Sequence, residues 1–427
     1  MAAGGAVAQS TSQPAGLEAV FSYTERLLWD DGDSFARSDL GFSLTADTRR
    51  QSFAFSLDGG LEKDLSDGLK TTLEDPQARL RYQIESRNTL LSFDARYLRS
   101  DVDSLAFDED LGTGTLVLEE GQRENTSANL RLEFGREAPV GATAAFGYSE
   151  TDYYNTTSAT LLDATTHRAD LAVRMDVDRR ISTRFSYALV DLNREGGVDS
   201  RRETYSIGAT LEVTKSLIAD IDVGHTELVR SGTVARDASD GVYYRLALKQ
   251  ERPNGTLSGS IVSNIDENGR RTTARVDRRM ELPNGSLGFG FGLSESDTTG
   301  KTRPLYNLSY ARDLPRGEFT VALDQAFSTT STGGETLNSR LQLGFSQALT
   351  SLSTINGSLT YRDSDVLGAG GADSSQINLD LSYAQALTDD WSLVGGYTHS
   401  RRMRDVGSDD IDDQIYIGLR TTLAWRP

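Results

Sequence analysis

The chain contains three histidines, His167, His225 and His399, and these are the first residues to weigh for acid–base chemistry. A histidine base needs a hydroxyl or carboxylate within hydrogen-bond reach and a third group that orients the ring. All three fall near strand ends at the outer rim, where a nearby Asp or Ser would permit a surface hydrolase site, but nothing in their spacing makes them share one. Gly-x-Ser-x-Gly elbows and phosphate-cradling glycine loops are absent from the sequence, which removes the usual scaffolds for acyl and phosphoryl transfer. The histidines therefore read as solvated rim residues, and neither an enzymatic activity nor a cofactor is expected.

Acidic runs are the next candidates. Asp30, Asp31 and Asp33 cluster, as do Asp101, Asp103, Asp108, Glu109 and Asp110, and again Asp409, Asp410, Asp412 and Asp413. Hard cations take clustered oxygens, but none of these runs has calcium-loop spacing. They read as solvated connections, so no metal site is expected. There is no cysteine, which excludes disulfides and thiolate chemistry. A net charge of -19 without a basic stripe excludes nucleic acid as a partner.

The remaining charges have a different distribution, falling at alternate positions. Arg79, Arg81 and Glu85 alternate with Ala78, Leu80, Tyr82 and Ile84. The same phase holds for Asp94 and Arg96, Arg131 and Glu133, Arg168, Asp170, Arg174 and Asp176, and Asp220 and Asp222. It continues through Arg245 and Lys249, then Arg275, Asp277 and Arg279, then Arg340, Asp380 and Arg420. Such a set can line a water-filled passage with both signs of charge and select solutes by size and charge. Facing lipid, an arginine at the midplane would cost about 2–4 kcal/mol, so these residues must face water or each other.

The element that can hold them so is the strand. Ile415, Ile417, Leu419, Thr421, Leu423 and Trp425 alternate with Tyr416, Gly418, Arg420, Thr422 and Ala424, which puts one face in an apolar medium. Leu40 to Ala46, Phe53 to Leu57, Leu91 to Tyr97, Ala169 to Val177 and Tyr205 to Val213 repeat the pattern. No stretch approaches the roughly 20 apolar residues that a spanning helix requires. A hydrophobic fraction of 37% still fits a membrane barrel, whose strands are apolar on one face only.

Connections alternate between two classes. Short ones fall at residues 47–50, 86–89, 136–141, 178–181, 251–255, 281–285 and 313–317, several built on Asn-Gly or Pro, which supply hairpin backbone angles. Longer polar ones fall at 100–124, 149–165, 193–202, 226–241, 294–304, 363–375 and 400–412. This predicts an all-β, single closed antiparallel up-and-down transmembrane barrel of about 22 strands (roughly 20–24), with short turns on one side and long loops on the other. It occupies residues 16–427. Residues 1–15, with Ala6-Val7-Ala8 as a small-residue cleavage site, are expected to be a signal-peptide remnant or a disordered terminus.

On these residues the chain resembles bacterial outer-membrane β-barrels of the porin type, and more loosely the barrels associated with exopolysaccharide gene clusters. Its final strand resembles a barrel-assembly signal, with Gly418, Leu423 and Trp425 in place, but it departs from the pattern by ending in Arg426-Pro427 instead of an aromatic. The resemblance implies an outer-membrane location in a Gram-negative bacterium, with outer-membrane lipid, lipopolysaccharide and the barrel-assembly machinery as partners. The expected function is a channel for small hydrophilic solutes. Alternatives are a polysaccharide-export barrel acting with a periplasmic partner and a structural surface barrel. Barrels of this size usually hold a plug. About 15 residues precede the first strand, so a plugged TonB-dependent transporter is not expected.

Overall fold

The computed structural model describes residues 16–426 apart from 31, 66–70, 103–120, 159–160, 234–235, 268, 298, 330–333, 368–372 and 405–408. Residues 1–15, and most of the acidic run at 101–110, lie outside the described residues. Every element is a strand. The first eleven are β1 (Gly16–Asp30), β2 (Asp33–Asp47), β3 (Gln51–Asp64), β4 (Thr71–Glu85), β5 (Thr89–Asp101), β6 (Gln122–Phe134), β7 (Val140–Tyr154), β8 (Ala164–Asp176), β9 (Ile181–Arg194), β10 (Val198–Thr214) and β11 (Leu217–Gly232). The second eleven are β12 (Asp237–Arg252), β13 (Gly255–Asp266), β14 (Gly269–Leu282), β15 (Gly285–Ser296), β16 (Lys301–Leu314), β17 (Gly317–Thr329), β18 (Glu335–Ala348), β19 (Ser353–Val366), β20 (Ser374–Ala386), β21 (Trp391–Arg404) and β22 (Asp410–Trp425).

Each strand pairs antiparallel with its neighbours in sequence, and β22 pairs with β1 from Gln414↔Asp30 to Trp425↔Ala19. The 22 strands thus form a closed up-and-down barrel, in which no strand edge is left over along the seam. At a strand spacing of about 4.8 Å and a tilt of about 40°, its backbone diameter is roughly 40–45 Å. Gly418 makes the seam possible. A Cβ there would run into the Glu25 carbonyl and the backbone of Arg26.

Residues directly opposite across a pair point to the same side, so the register sorts the wall into two faces. One face carries the large exposed apolar side chains: Ile207 (69% exposed), Val276, Val223, Ile415, Phe289 and Leu423 among them. The other is polar, and its side chains reach across an intervening strand: Arg184 on β9 bonds Asp220 and Asp222 on β11. Only the concave side of a cylinder brings next-nearest strands together, so the polar face is the interior.

Strands extend further than the composition suggests. Residues 193–202 read as a loop, yet only 195–197 separate β9 from β10, and 294–304 contribute only 297–300 between β15 and β16. Asp410, Asp412 and Asp413 belong to β22 and not to a connection. Above the apolar band both faces of a strand meet water, so the alternation that marks a strand in sequence disappears while the backbone ladder continues.

Candidate functional site

The interior face is the candidate site. Starting from Arg420 on β22, the register runs to Thr24 on β1, Asp39 on β2 and Gly60 on β3. Further round, Ala54 faces Arg81, Arg81 faces Asp94 and Arg79 faces Arg96, and Asp94 faces Asn129 with Arg131 opposite Ser92. Gly147 and Ala145 then face Arg168 and Asp170, and Arg174 and Asp176 face Arg184 and Ser182. Asp222 faces Arg245, Lys249 faces Ser258, and Ser260, Ser258 and Thr256 face Arg275, Asp277 and Arg279. Arg340 faces Asp324 and Asp380 faces Ser358. Glu85 and Glu133 share the same phase at the short-turn end, opposite Leu90 on β5.

The register thus places all of these charges on the interior face, where pairing organises many of them. Arg79 and Asp94 lie 3.0 Å apart, Arg131 and Glu133 2.7 Å, Arg174 and Asp176 2.8 Å, and Arg275 and Asp277 3.0 Å. Lys249 pairs with Glu251 at 2.8 Å. Glu85 is taken by Arg136 of the β6–β7 turn at 2.5 Å. Asp380 accepts from Ser358 and Thr398, and the Arg420 guanidinium donates to the Thr24 hydroxyl across the closing seam. Both signs occur within contact distance over much of the described interior face, so many charges there are compensated despite the acidic total.

The densest group sits on β8 to β13. Arg184 forks onto Asp222 through Nε (2.8 Å) and one terminal nitrogen (2.5 Å), and reaches Asp220 at 3.2 Å. Thr210 donates to the same Asp220 at 2.5 Å. A recess of about 480 Å³ opens here, lined by Asp170, Arg184, Arg202, Asp220, Asp222, Tyr243 and Arg245 with small polar residues between them. Arg184 and Arg202 escape a composition-level reading because Arg184 is a lone charge on its stretch of β9 and Arg202 falls in 193–202, which reads as a connection. Only the strand phase picks them out.

The histidines point outward and stay apart, on β8, β11 and β21. His167 packs against Tyr148 with ring centroids 5.4 Å apart, His225 approaches Asp240 at 3.4 Å, and His399 meets Asp413 at 2.8 Å. Tyrosines near the strand ends donate to neighbouring polar groups: Tyr148 to Glu150, Tyr361 to Asp363, Tyr383 to Gln385 and Tyr397 to Asp413. Such rings suit a lipid–water boundary, where one end is apolar and the other wet. Glu25, an acid on the apolar phase of β1, is accommodated in the same way, accepting from Tyr23 at 2.6 Å and from Ser38. Leu423 and Trp425 of the final strand face outward, opposite Phe21 and Ala19, whereas Gly418 lies on the interior phase against Arg26.

A closed antiparallel barrel with an apolar exterior and a charged interior defines the class: a membrane-type β-barrel of 22 strands. Several solved receptor structures superpose on it. The ferric-catecholate import receptor Fiu of E. coli K12 superposes with a TM-score of 0.58 at 9% identity, over 96% of this chain and 82% of that one. A mutant of the ferric enterobactin receptor of Pseudomonas aeruginosa gives 0.56 at 10% identity, over 96% and 81%. The siderophore receptor PirA of Acinetobacter baumannii gives 0.54 at 12%, over 96% and 81%. At such identities the likeness is one of fold. It supports an outer-membrane type of barrel but does not single out the porin type. No family model and no curated protein matches the sequence.

Proposed function

We propose that this protein is an outer-membrane channel that passes small hydrophilic solutes through a lumen of compensated charge. The observation that carries the reading is the two-faced register. Over most of the described wall, polar and paired side chains face inward while large apolar ones face outward. Water-filled barrels have this arrangement, and paired arginines and carboxylates along a passage discriminate by size and charge without binding any one ion tightly. Lipopolysaccharide-bearing lipid and the barrel-assembly machinery are the partners this reading requires.

A second reading has one observation in its favour. The similar solved barrels are siderophore receptors, and 22-stranded outer-membrane transporters have a plugged lumen. On that reading the barrel works with a plug and a TonB-type energising partner. Export of polysaccharide has less support, since among the described inward residues rings such as Tyr153, Tyr243 and Tyr416 are scattered and form no continuous track. Refolded protein in a planar bilayer separates these. Stable steps of weak ion selectivity, blocked by large polymers only, are expected for the channel. Silence from protein proven to be inserted would overturn it in favour of a plugged or partner-dependent barrel.

A further inference from the structure

At the long-connection rim, two of the barrel's own hairpins leave the cylinder. Pairing between β12 and β13 stops at Tyr244↔Ser263, although β12 continues against β11 as far as Asp237 and β13 continues against β14 as far as Asp266. Pairing between β16 and β17 stops at Leu308↔Leu323, while β17 continues against β18 to Thr329. Above both breaks the freed strands overlap inward.

Burial gives the direction. Ile261 faces outward and is 42% exposed, yet Ser263 and Ile265, on the same face of β13, are 0% and 4% exposed. What covers them is the interior face of β12. A Cβ on Gly241, an interior position, would lie 2.9 Å from the Ile265 side chain and against the Arg270 guanidinium. Arg270 donates to the Val242 carbonyl at 2.8 Å. At the hairpin tip, Glu267 accepts from Ser200 at 2.6 Å and from Arg194 at 3.4 Å, and its carbonyl accepts from Arg230 at 3.1 Å. The tip of β13–β14 therefore lies inside the barrel, against β9 to β11.

The second hairpin repeats the step. Phe327 and Glu335 are on the outward phase of β17 and β18, yet they meet Arg271, which is on the interior phase of β14. The Arg271 guanidinium stands 4.4 Å from the Phe327 ring centroid and pairs with the Glu335 carboxylate. Glu335 is left 2% exposed. Leu305, an interior residue of β16, is buried with Leu337 of β18. Both clasps join strands that are not neighbours in the wall, so they hold the tilt and not the ladder.

We propose that the infolded ends of β13, β14, β17 and β18 are the size-selecting constriction of the lumen, with Glu267 and Arg271 as the residues that hold it in place. The inference rests on the channel reading above and assigns its solute cutoff to wall strands. Hydrated solutes small enough to pass these infolded strand ends are the expected cargo; larger ones are turned back.

The test uses the absence of native cysteine. A single Ser263→Cys thiol lies between β13 and the interior face of β12, and an Ala238→Cys thiol on the exposed end of β12 is the reference. With a small water-soluble maleimide, Ser263→Cys is expected to react at least about a hundredfold more slowly than the reference, as befits a group reached only by local opening. Adding Glu267→Gln and Arg271→Gln is expected to remove most of that protection, and Glu335→Gln alone part of it. In planar bilayers the Glu267→Gln/Arg271→Gln protein is expected to show larger steps and a higher polymer-exclusion limit than the parent. Equal thiol rates at 263 and 238 would overturn the infolding. Thiol protection that is lost without any change in conductance would overturn the assignment of the cutoff. Silence from both inserted proteins would overturn the channel reading, while the thiol rates still judge the infolding on their own.

Discussion

Val276→Arg puts the two-faced wall to its hardest test. Val276 is 58% exposed on the outward face of β14, between Arg275 and Asp277, which point inward and pair with each other at 3.0 Å. Its outward neighbours across the strands are Phe291 and Gly259. From Val276 to the strand end at Leu282 the backbone covers about 20 Å, or about 15 Å of depth at a 40° tilt. That depth exceeds what a guanidinium spans by snorkelling. A new arginine here would therefore sit in hydrocarbon, with an expected penalty of about 2–4 kcal/mol. This is roughly a 30- to 900-fold loss in the folding equilibrium. Reversible urea unfolding in lipid vesicles reads it directly, with Arg275→Leu, one residue away but inward, as the comparison. Arg275→Leu is expected to cost less, because the carboxylate it leaves behind has access to water. A Val276→Arg penalty below that of Arg275→Leu would mean that the apolar face does not meet lipid, and the membrane reading would fail.

Other outcomes follow from the same geometry. Gly418→Val is expected to block closure of β22 on β1, since its Cβ would collide with the β1 backbone; the folded, heat-modifiable band on a cold gel should be lost, while Gly259→Val, whose Cβ would meet nothing nearer than 3.8 Å, should retain it. Arg184→Met leaves Asp220 and Asp222 without their shared cation, so the reversal potential in a salt gradient should move toward cation selectivity, and the Arg184→Lys protein should lie between. All three tryptophans, Trp29, Trp391 and Trp425, are exposed at 42–57% on the outward face. Brominated lipid should therefore quench nearly all the intrinsic fluorescence of the inserted protein, whereas a water-soluble quencher confined to the lumen should leave it largely intact.

Much of the site was legible because strand periodicity is local. A charge at every second position, as in Arg79, Arg81 and Arg131, Glu133, needs only a pleated backbone to fall on one side. Arg184 and Arg202 were missed for other reasons: Arg202 falls in 193–202, which read as a connection, and Arg184 lies on β9, where no alternating run stood out. Glu25 falls on the apolar phase of β1, and only the positions of Tyr23 and Ser38 account for it. The acidic stretch 410–413 read as a connection because the ladder outlasts the lipid-facing alternation.

The sequence by itself determined the all-β barrel, an approximate number of crossings and the need for one apolar and one polar face, since all three follow from a two-residue repeat and its interruptions. Tertiary structure alone decided the rest. That Arg184 would find Asp222 two strands away, that β22 would close on β1 at Gly418, and that Ser263 and Ile265 would be covered depend on register and on where neighbouring strands part. Register is a relation between segments distant in the chain. A break such as the one above Tyr244↔Ser263 arises from the summed packing of both hairpins, which no local pattern encodes.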